Sequence, residues 1–81
     1  MKITVKFWSY FRDLAECDET SLEVNEGETL GDVHSKLMRK FPELTQMKNS
    51  TLKAVGVDYQ PDDYILSDGD EVSLFPPVQG G

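Results

Sequence analysis

Residues 68–81 read DGDEVSLFPPVQGG, and this stretch decides how the rest of the chain is arranged. Its first three residues are a turn signal, because aspartate and glycine favour the backbone angles of tight turns. The next five residues alternate in polarity and predict a strand over 71–75. The two prolines that follow carry no backbone N–H and end its pairing. The stretch therefore predicts a final strand with a short tail attached to it.

Further strands are predicted upstream. Residues 2–8 alternate between polar and apolar side chains, which is typical of a half-buried strand. The same reasoning predicts a second strand over 19–25 and a third over 52–57. The less regular segments are a helical turn or loop at 9–15, a turn or short edge strand at 58–63, and a brief pairing at 64–66.

One main helix is predicted between the second and third strands. Thr29 is a favourable N-cap, and Asp32 gives it a partial capping box. Pro42 ends the helix, because the residue before a proline avoids the helical conformation. The polar residues 43–50 then predict a loop with a short turn. Apolar residues at helical spacing form one stripe, made of Leu30, Val33, Leu37 and Phe41.

This order of elements predicts an α+β fold in which one main helix packs on one face of a mixed sheet. The crossover through the helix favours parallel pairing of the first and last strands. This is the arrangement of the β-grasp, or ubiquitin-like, fold. The pattern alone predicts the α+β class, and the specific topology depends on the family that residues 68–81 resemble. We expect the domain to span residues 1–76 and a flexible Gly-Gly tail to span 77–81.

The length and net charge of the chain disfavour some classes of function. The chain has 81 residues and a net charge of -7, from 15 acidic and 8 basic side chains. A single small core leaves little room for a buried ligand pocket, so we expect no catalysis by the chain alone. Its charge makes nucleic acid a poor partner and a basic protein surface a good one.

Cellular context follows from the same composition. Cys17 is the only cysteine, so an internal disulfide is impossible, and a reducing cytoplasm fits. The N-terminal residues lack the unbroken apolar run of a signal peptide, and no segment is apolar enough to span a bilayer. We therefore expect a cytoplasmic protein without a membrane partner.

The sequence contains few candidates for a catalytic or metal-binding side chain. His34 is the only histidine and has no metal-ligand spacing around it. Cys17 lies among acidic residues, which disfavour its thiolate. The aspartates at 62–63 and 68–70 lack the ligand set of a calcium loop. We expect ordinary structural roles for all of them, with no metal site and no bound cofactor.

The tail is different, because Gly80 and Gly81 carry no side chain and a narrow channel can close around them. Pro76 and Pro77 stiffen its base. A C-terminal carboxylate is ionised at neutral pH and is a poor electrophile until it is activated, typically by adenylation. We therefore expect Gly81 to be the covalent site, Gly80 to provide clearance, and a partner enzyme to use ATP and magnesium.

Residues 68–81 closely resemble the C-terminal signature of the small subunit of molybdopterin synthase, the MoaD sulfur-carrier family. Chain length, Phe11-Arg12-Asp13-Leu14 after the first strand, and the Thr29-Leu30 helix start are also similar to that family. One departure is Ala54-Val55-Gly56, where the family often has alanine, valine and asparagine. This departure concerns the turn that follows the third strand.

The resemblance implies a mechanism and a set of partners. A ubiquitin-activating-type adenylyltransferase would adenylate Gly81, and a sulfur donor would convert the adenylate into a thiocarboxylate. The large subunit of molybdopterin synthase, in an assembly of two small and two large subunits, would then use this sulfur on cyclic pyranopterin monophosphate. The pterin pocket and the acid–base groups would belong to the large subunit.

Three other functions fit parts of the sequence. A ubiquitin-like protein modifier would use the same adenylated Gly81 to form isopeptide bonds with lysines. A thiamine-pathway sulfur carrier also ends in Gly-Gly, although that family is usually shorter and lacks the Phe-Pro-Pro run. A plain β-grasp interaction module would keep its activity without Gly81.

An exposed docking face is predicted at the base of the tail. Alternation places Trp8 and Phe75 on the face opposite the core, and parallel first and last strands would bring them together. Tyr59, in the turn after the third strand, could join them. Such a cluster would anchor a partner, with the neighbouring residues Pro76, Pro77 and Val78 completing the contact. The competing interpretation is that residues 9–15 cover these rings in a second small core.

Overall fold

The computed structural model describes residues 1–77, and within them five strands form one mixed sheet in the order β2-β1-β5-β3-β4. The strands are β1 (Lys2–Phe7), β2 (Glu19–Glu23), β3 (Leu52–Val55), β4 (Asp58–Tyr59) and β5 (Glu71–Phe75). The helices are α1 (Tyr10–Ala15), α2 (Leu30–Lys40) and a 3₁₀ helix at Pro42–Met47. The predicted α+β, β-grasp arrangement is confirmed.

β1 and β5 run parallel at the centre of the sheet, as predicted. Val5 is paired with Val72, and Phe7 with Leu74. β1 also pairs antiparallel with β2, and β5 with β3. Because side chains alternate along a strand, this register places the four apolar residues on one face, called the inner face here.

α2 covers the inner face. Its capping box is complete, because the Asp32 N–H donates to Thr29 Oγ1 over 3.2 Å and the Thr29 N–H donates to Asp32 Oδ2 over 3.0 Å. At the other end of α2, the Phe41 ring meets Phe7 edge to face at a centroid distance of 5.4 Å. The most deeply buried residues of this core are Ile3, Val5, Phe11, Leu30, Val33, Leu37, Leu44, Val72 and Leu74.

The segment before β5 is tied to the start of α2. The backbone N–H groups of Leu30 and Gly31 donate to the carbonyl oxygens of Tyr64 and Asp62, each over 2.8 Å. A Cβ atom at Gly31 would lie 3.1 Å from the Cβ atom of Asp62, so this close approach favours glycine. The brief pairing predicted at 64–66 is a single bridge between Thr29 and Ile65.

Several boundaries differ from the prediction: β1 ends at Phe7 rather than at residue 8, and β2 ends at Glu23 rather than at residue 25. The polar stretch after α2 contains a 3₁₀ helix rather than a loop with a short turn, and Leu44 anchors it with 1 % of its surface exposed. The third strand ends at Val55, because Gly56 has a φ of +63° and turns the chain into β4. Glycine and asparagine both tolerate this left-handed conformation, so Gly56 suits the turn in place of the asparagine.

All of the predicted tail except its first residue lies outside the described residues. Pro77 is the last described residue, while Val78, Gly80 and Gly81 lie outside the described residues. The division into a domain over 1–76 and a tail over 77–81 therefore stays a prediction.

Candidate functional site

The sheet has an outer face, opposite α2, that combines charged, small and aromatic side chains. Lys6 lies next to Ser73 in the β1–β5 register, and Ser73 lies next to Ala54 in the β3–β5 register. The Lys6 ammonium is 3.4 Å from the Glu71 carboxylate across the same strands. Within residues 1–77 the main helix packs on the inner face only, so the outer face is available to a partner.

Three aromatic residues form a patch at the end of the outer face where β5 stops. The rings of Trp8 and Phe75 stack with centroids 5.8 Å apart and an interplanar angle of 13°. Tyr59 meets Phe75 edge to face at 6.2 Å. Trp8 is 45 % exposed and Tyr59 is 65 % exposed. We call these three residues the aromatic patch, and their predicted proximity is confirmed.

The sheet register explains why these rings meet. The Trp8 N–H donates to the Leu74 carbonyl oxygen over 3.1 Å, so Trp8 continues the line of β1 beside β5. Tyr59 pairs with Ala54, whose methyl group leaves room for the ring to reach Phe75. The competing interpretation, in which residues 9–15 cover the rings, is wrong for Trp8, because nearly half of its surface is open.

Pro76 and Pro77 follow Phe75 directly and are half-buried. Any chain that continues past Pro77 therefore starts beside the aromatic patch. This places the base of the predicted tail next to the predicted docking residues. The contribution of Val78, Gly80 and Gly81 lies outside the described residues.

His34 has a more specific environment than an ordinary helix residue. It is 7 % exposed, and its Nδ1 atom lies 3.2 Å from the Lys53 ammonium. Lys53 also forms an ion pair with Asp62 at 2.9 Å. Burial, followed by the positive charge of Lys53, lowers the pKa of His34. No local pattern in the sequence predicts this contact, because its three residues come from distant segments.

Cys17 and the acidic residues were the other candidates for a chemical role. Cys17 is partly buried and packs against the core. Residues 1–77 contain no group of three or more histidine, cysteine, aspartate or glutamate side chains placed to hold a metal ion. No helix in the part of the chain that the structure describes is long and apolar enough to cross a membrane.

Comparison with known proteins identifies the family. The sequence model of the ThiS family matches residues 5–81. The chain belongs to the ThiS family. Among the relatives of this ThiS-family chain is the molybdopterin synthase sulfur carrier subunit of Mycobacterium tuberculosis, which is 33% identical over 84 residues. That alignment covers 100% of this chain and 99% of the relative, so the MoaD-type resemblance predicted from residues 68–81 is confirmed.

Two solved structures are similar to this chain in both fold and sequence. A putative molybdopterin converting factor, subunit 1, from Pyrococcus furiosus has a TM-score of 0.88 and 30% identity, with 96% of this chain and 99% of that chain covered. The small archaeal modifier protein 1 (SAMP1) of Methanosarcina acetivorans has a TM-score of 0.83 and 26% identity, covering 99% and 96% of the two chains. The fold of this chain is therefore shared by a putative converting-factor subunit and by a modifier protein.

Proposed function

We propose that this chain carries sulfur for a molybdopterin synthase, with the carboxyl carbon of Gly81 as its reactive atom. The observation that carries the proposal is the family match, which continues through residue 81. The exposed aromatic patch supports it, because it offers a partner an anchor beside the last described residues. Gly80 and Gly81 would let the terminus enter a narrow site, since neither has a side chain.

The chemistry would proceed through an activated acyl group. A carboxylate oxygen of Gly81 attacks the α-phosphorus of ATP in an adenylyltransferase, and pyrophosphate leaves. A sulfur donor at the sulfide oxidation level then attacks the acyl carbon, forms the C–S bond and releases AMP. The product is a thiocarboxylate, whose sulfur is a better nucleophile than a carboxylate oxygen. ATP and its magnesium ion belong to the activating enzyme in this scheme.

The partner would be the large subunit of molybdopterin synthase. The thiocarboxylate sulfur would attack a carbon of cyclic pyranopterin monophosphate in the large subunit and displace an oxygen substituent, forming a thioester. Water would then hydrolyse this thioester, which regenerates the Gly81 carboxylate and leaves the sulfur on the pterin. A dithiolene contains two sulfur atoms, so two charged carriers would act for each product. The aromatic patch, together with Pro76, Pro77 and Val78, would hold the domain while the tail reaches the pterin.

The test is reconstitution with an activating enzyme, ATP, magnesium and a sulfur donor. Intact mass spectrometry should show the mass gain from replacing one oxygen by sulfur, located on Gly81 by fragmentation. Deleting Gly81 shortens the reach by about 3.5 Å and should lower sulfur transfer to the pterin by roughly 100-fold or more. A control is Glu26→Ala, which alters an exposed residue in the turn before α2 and leaves the tail unchanged. Unchanged transfer after the deletion would contradict the proposal.

A protein modifier is the second candidate, and the likeness to small archaeal modifier protein 1 of Methanosarcina acetivorans is the observation that favours it. A modifier would form an amide bond between the Gly81 carbonyl and a lysine amine, with AMP as the leaving group. Tryptic peptides from cells would then contain lysines joined to the C-terminal residues of this chain. Such conjugates without any thiocarboxylate would favour the modifier over the carrier.

A further inference from the structure

A shallow pocket of about 210 Å³ opens beside the aromatic patch. It is enclosed by the end of β1, by α1 and by the start of β2, and its lining residues are Lys6, Phe7, Trp8, Arg12, Asp18 and Glu19. Ligand sites for small molecules usually have roughly 300–1,000 Å³, so this pocket suits a single side chain better than a free ligand. Trp8 belongs to both the pocket and the aromatic patch, so a protein docked on the patch would also cover the pocket.

The charges around the pocket leave one carboxylate without compensation. The Lys6 ammonium lies 3.4 Å from Glu71, which neutralises it. Arg12 Nε approaches Asp18 Oδ1 at 3.7 Å, which is longer than a hydrogen bond and leaves acceptor capacity on Asp18. Among residues 1–77, Glu19 takes part in no ion pair within 4.0 Å, although the β1–β2 register places it opposite Lys6.

These features together favour a cationic, planar side chain as the occupant. The Trp8 indole can attract a cation over its face, and arginine makes this contact more often than lysine. A guanidinium group can also donate two parallel hydrogen bonds to one carboxylate. The net charge of -7 further favours approach of a positively charged partner surface.

We infer that this pocket receives an arginine side chain of the large subunit, held between the Trp8 indole and the Glu19 carboxylate. The inference rests on the proposed function, because it needs the large subunit to dock on the aromatic patch. Glu19 then acts as a specificity residue for the partner and takes no part in sulfur chemistry. Desolvation of the carboxylate by the docked protein would strengthen the contact relative to a surface ion pair.

The experiment compares two glutamates on one strand. Glu19 and Glu23 lie on the outer face of β2, opposite Lys6 and Lys2, and are separated along the strand by about 13 Å. The Kd for the purified large subunit is measured for the unaltered chain and for glutamine and lysine substitutions at each position. We expect Glu19→Gln to raise the Kd by about tenfold and Glu19→Lys by about 100-fold or more. The matching changes at Glu23 should stay within about threefold, because they alter only the overall charge.

A double-mutant cycle identifies the partner residue. Glu19→Gln is combined with single arginine-to-lysine changes on the large subunit, and one arginine should show coupling with Glu19. Thermal unfolding of each carrier variant separates lost binding from lost folding, and the isosteric Glu19→Gln is the variant that decides if Glu19→Lys does not fold. Equal effects at Glu19 and Glu23, or no coupled arginine, would overturn the inference while leaving the proposed function intact. Failure of the unaltered chain to bind the large subunit would overturn both.

Discussion

The two faces of the sheet use the same strands for different purposes. On the inner face, Val5, Val72 and Leu74 are at most 1 % exposed and pack under α2. On the outer face, Trp8 and Tyr59 remain 45 % and 65 % exposed beside Phe75. Apolar surface that is already buried stabilises the fold, whereas apolar surface that is still exposed can stabilise a complex. If the proposed function holds, folding and partner binding depend on separate sets of residues in this small domain.

The largest expected effect is on the inner face. Leu37→Ala removes a fully buried side chain of α2 and should lower the free energy of unfolding by about 2–5 kcal/mol, because it leaves a cavity as well as losing apolar burial. Denaturant unfolding measures this change. The matched control is Val57→Ala, since Val57 is 97% exposed and its truncation should change stability by about 0.5 kcal/mol or less. A similar loss for both variants would contradict the expectation that the buried inner face supplies the stability of the fold.

The next effect is on the outer face. Phe75→Ala removes the ring that contacts both Trp8 and Tyr59, and it should weaken binding of the large subunit by about 2 kcal/mol, or roughly 30-fold. Calorimetric titration measures the affinity, and thermal unfolding checks that the domain remains folded.

The control for this outer-face prediction is an exposed apolar residue elsewhere. Ile65 is 62% exposed and bridges to Thr29 before α2, away from the patch. Ile65→Ala should leave the affinity nearly unchanged. If Phe75→Ala unfolds the domain and shows no binding defect in its folded fraction, the outer face belongs to the stabilising core instead.

The smallest effect concerns His34, a polar residue on the buried side of α2. Its pKa is lowered from 6.5, first by burial and then by Lys53 and Lys48, while Asp62 acts in the opposite direction. The unfolded chain therefore takes up this proton at a higher pH than the folded chain. The neutral ring of His34 therefore contributes stability that is present above the pKa of His34 in the unfolded chain. This contribution is lost as the pH falls through the pKa of His34 in the folded chain.

We therefore expect the free energy of unfolding to be lower at about pH 5 than at about pH 7.5. His34→Gln keeps an acceptor for Lys53 but removes the titrating ring, so its stability should depend less on pH in this window. Equal pH dependence in both proteins would show that His34 does not contribute. Glu28 and Asp32, whose pKa values are lowered by hydrogen bonds, would add losses only at more acidic pH.

Local sequence signals predicted much of the fold but not every segment. The Thr29 cap and the apolar stripe located α2, and the alternation in residues 71–75 located β5, because these signals involve near neighbours. The 3₁₀ helix at Pro42–Met47 was missed, since its one buried anchor, Leu44, depends on a distant core. β4 was predicted only as a turn or short edge strand, because two residues are too few for a periodic pattern.

The aromatic patch of the candidate site was predicted from the sequence, but other contacts of the site were not. The proximity of Trp8 and Phe75 was predicted because the expected parallel pairing of the first and last strands implies it. Tyr59 was added because it lies in the turn after the third strand. The contacts of His34 with Lys53, and of Lys53 with Asp62, were not predicted. The pocket at Glu19 was also missed, because its lining combines two strands, a short helix and the loop between them.

The sequence alone determined the local conformations and the chemistry available at the tail. Alternation, capping residues and turn residues act over a few positions, so they can be recognised without coordinates. Two glycines likewise have no side chains in any fold. The tertiary structure decided which distant residues meet. The parallel register of β1 and β5 places Trp8 against Phe75. The antiparallel pairing of β1 with β2 places Glu19 in the same pocket as Trp8, and Glu19 has no ion-pair partner among residues 1–77. Such contacts depend on the path of the whole backbone, because residues far apart in sequence become neighbours only when the sheet and helix pack together.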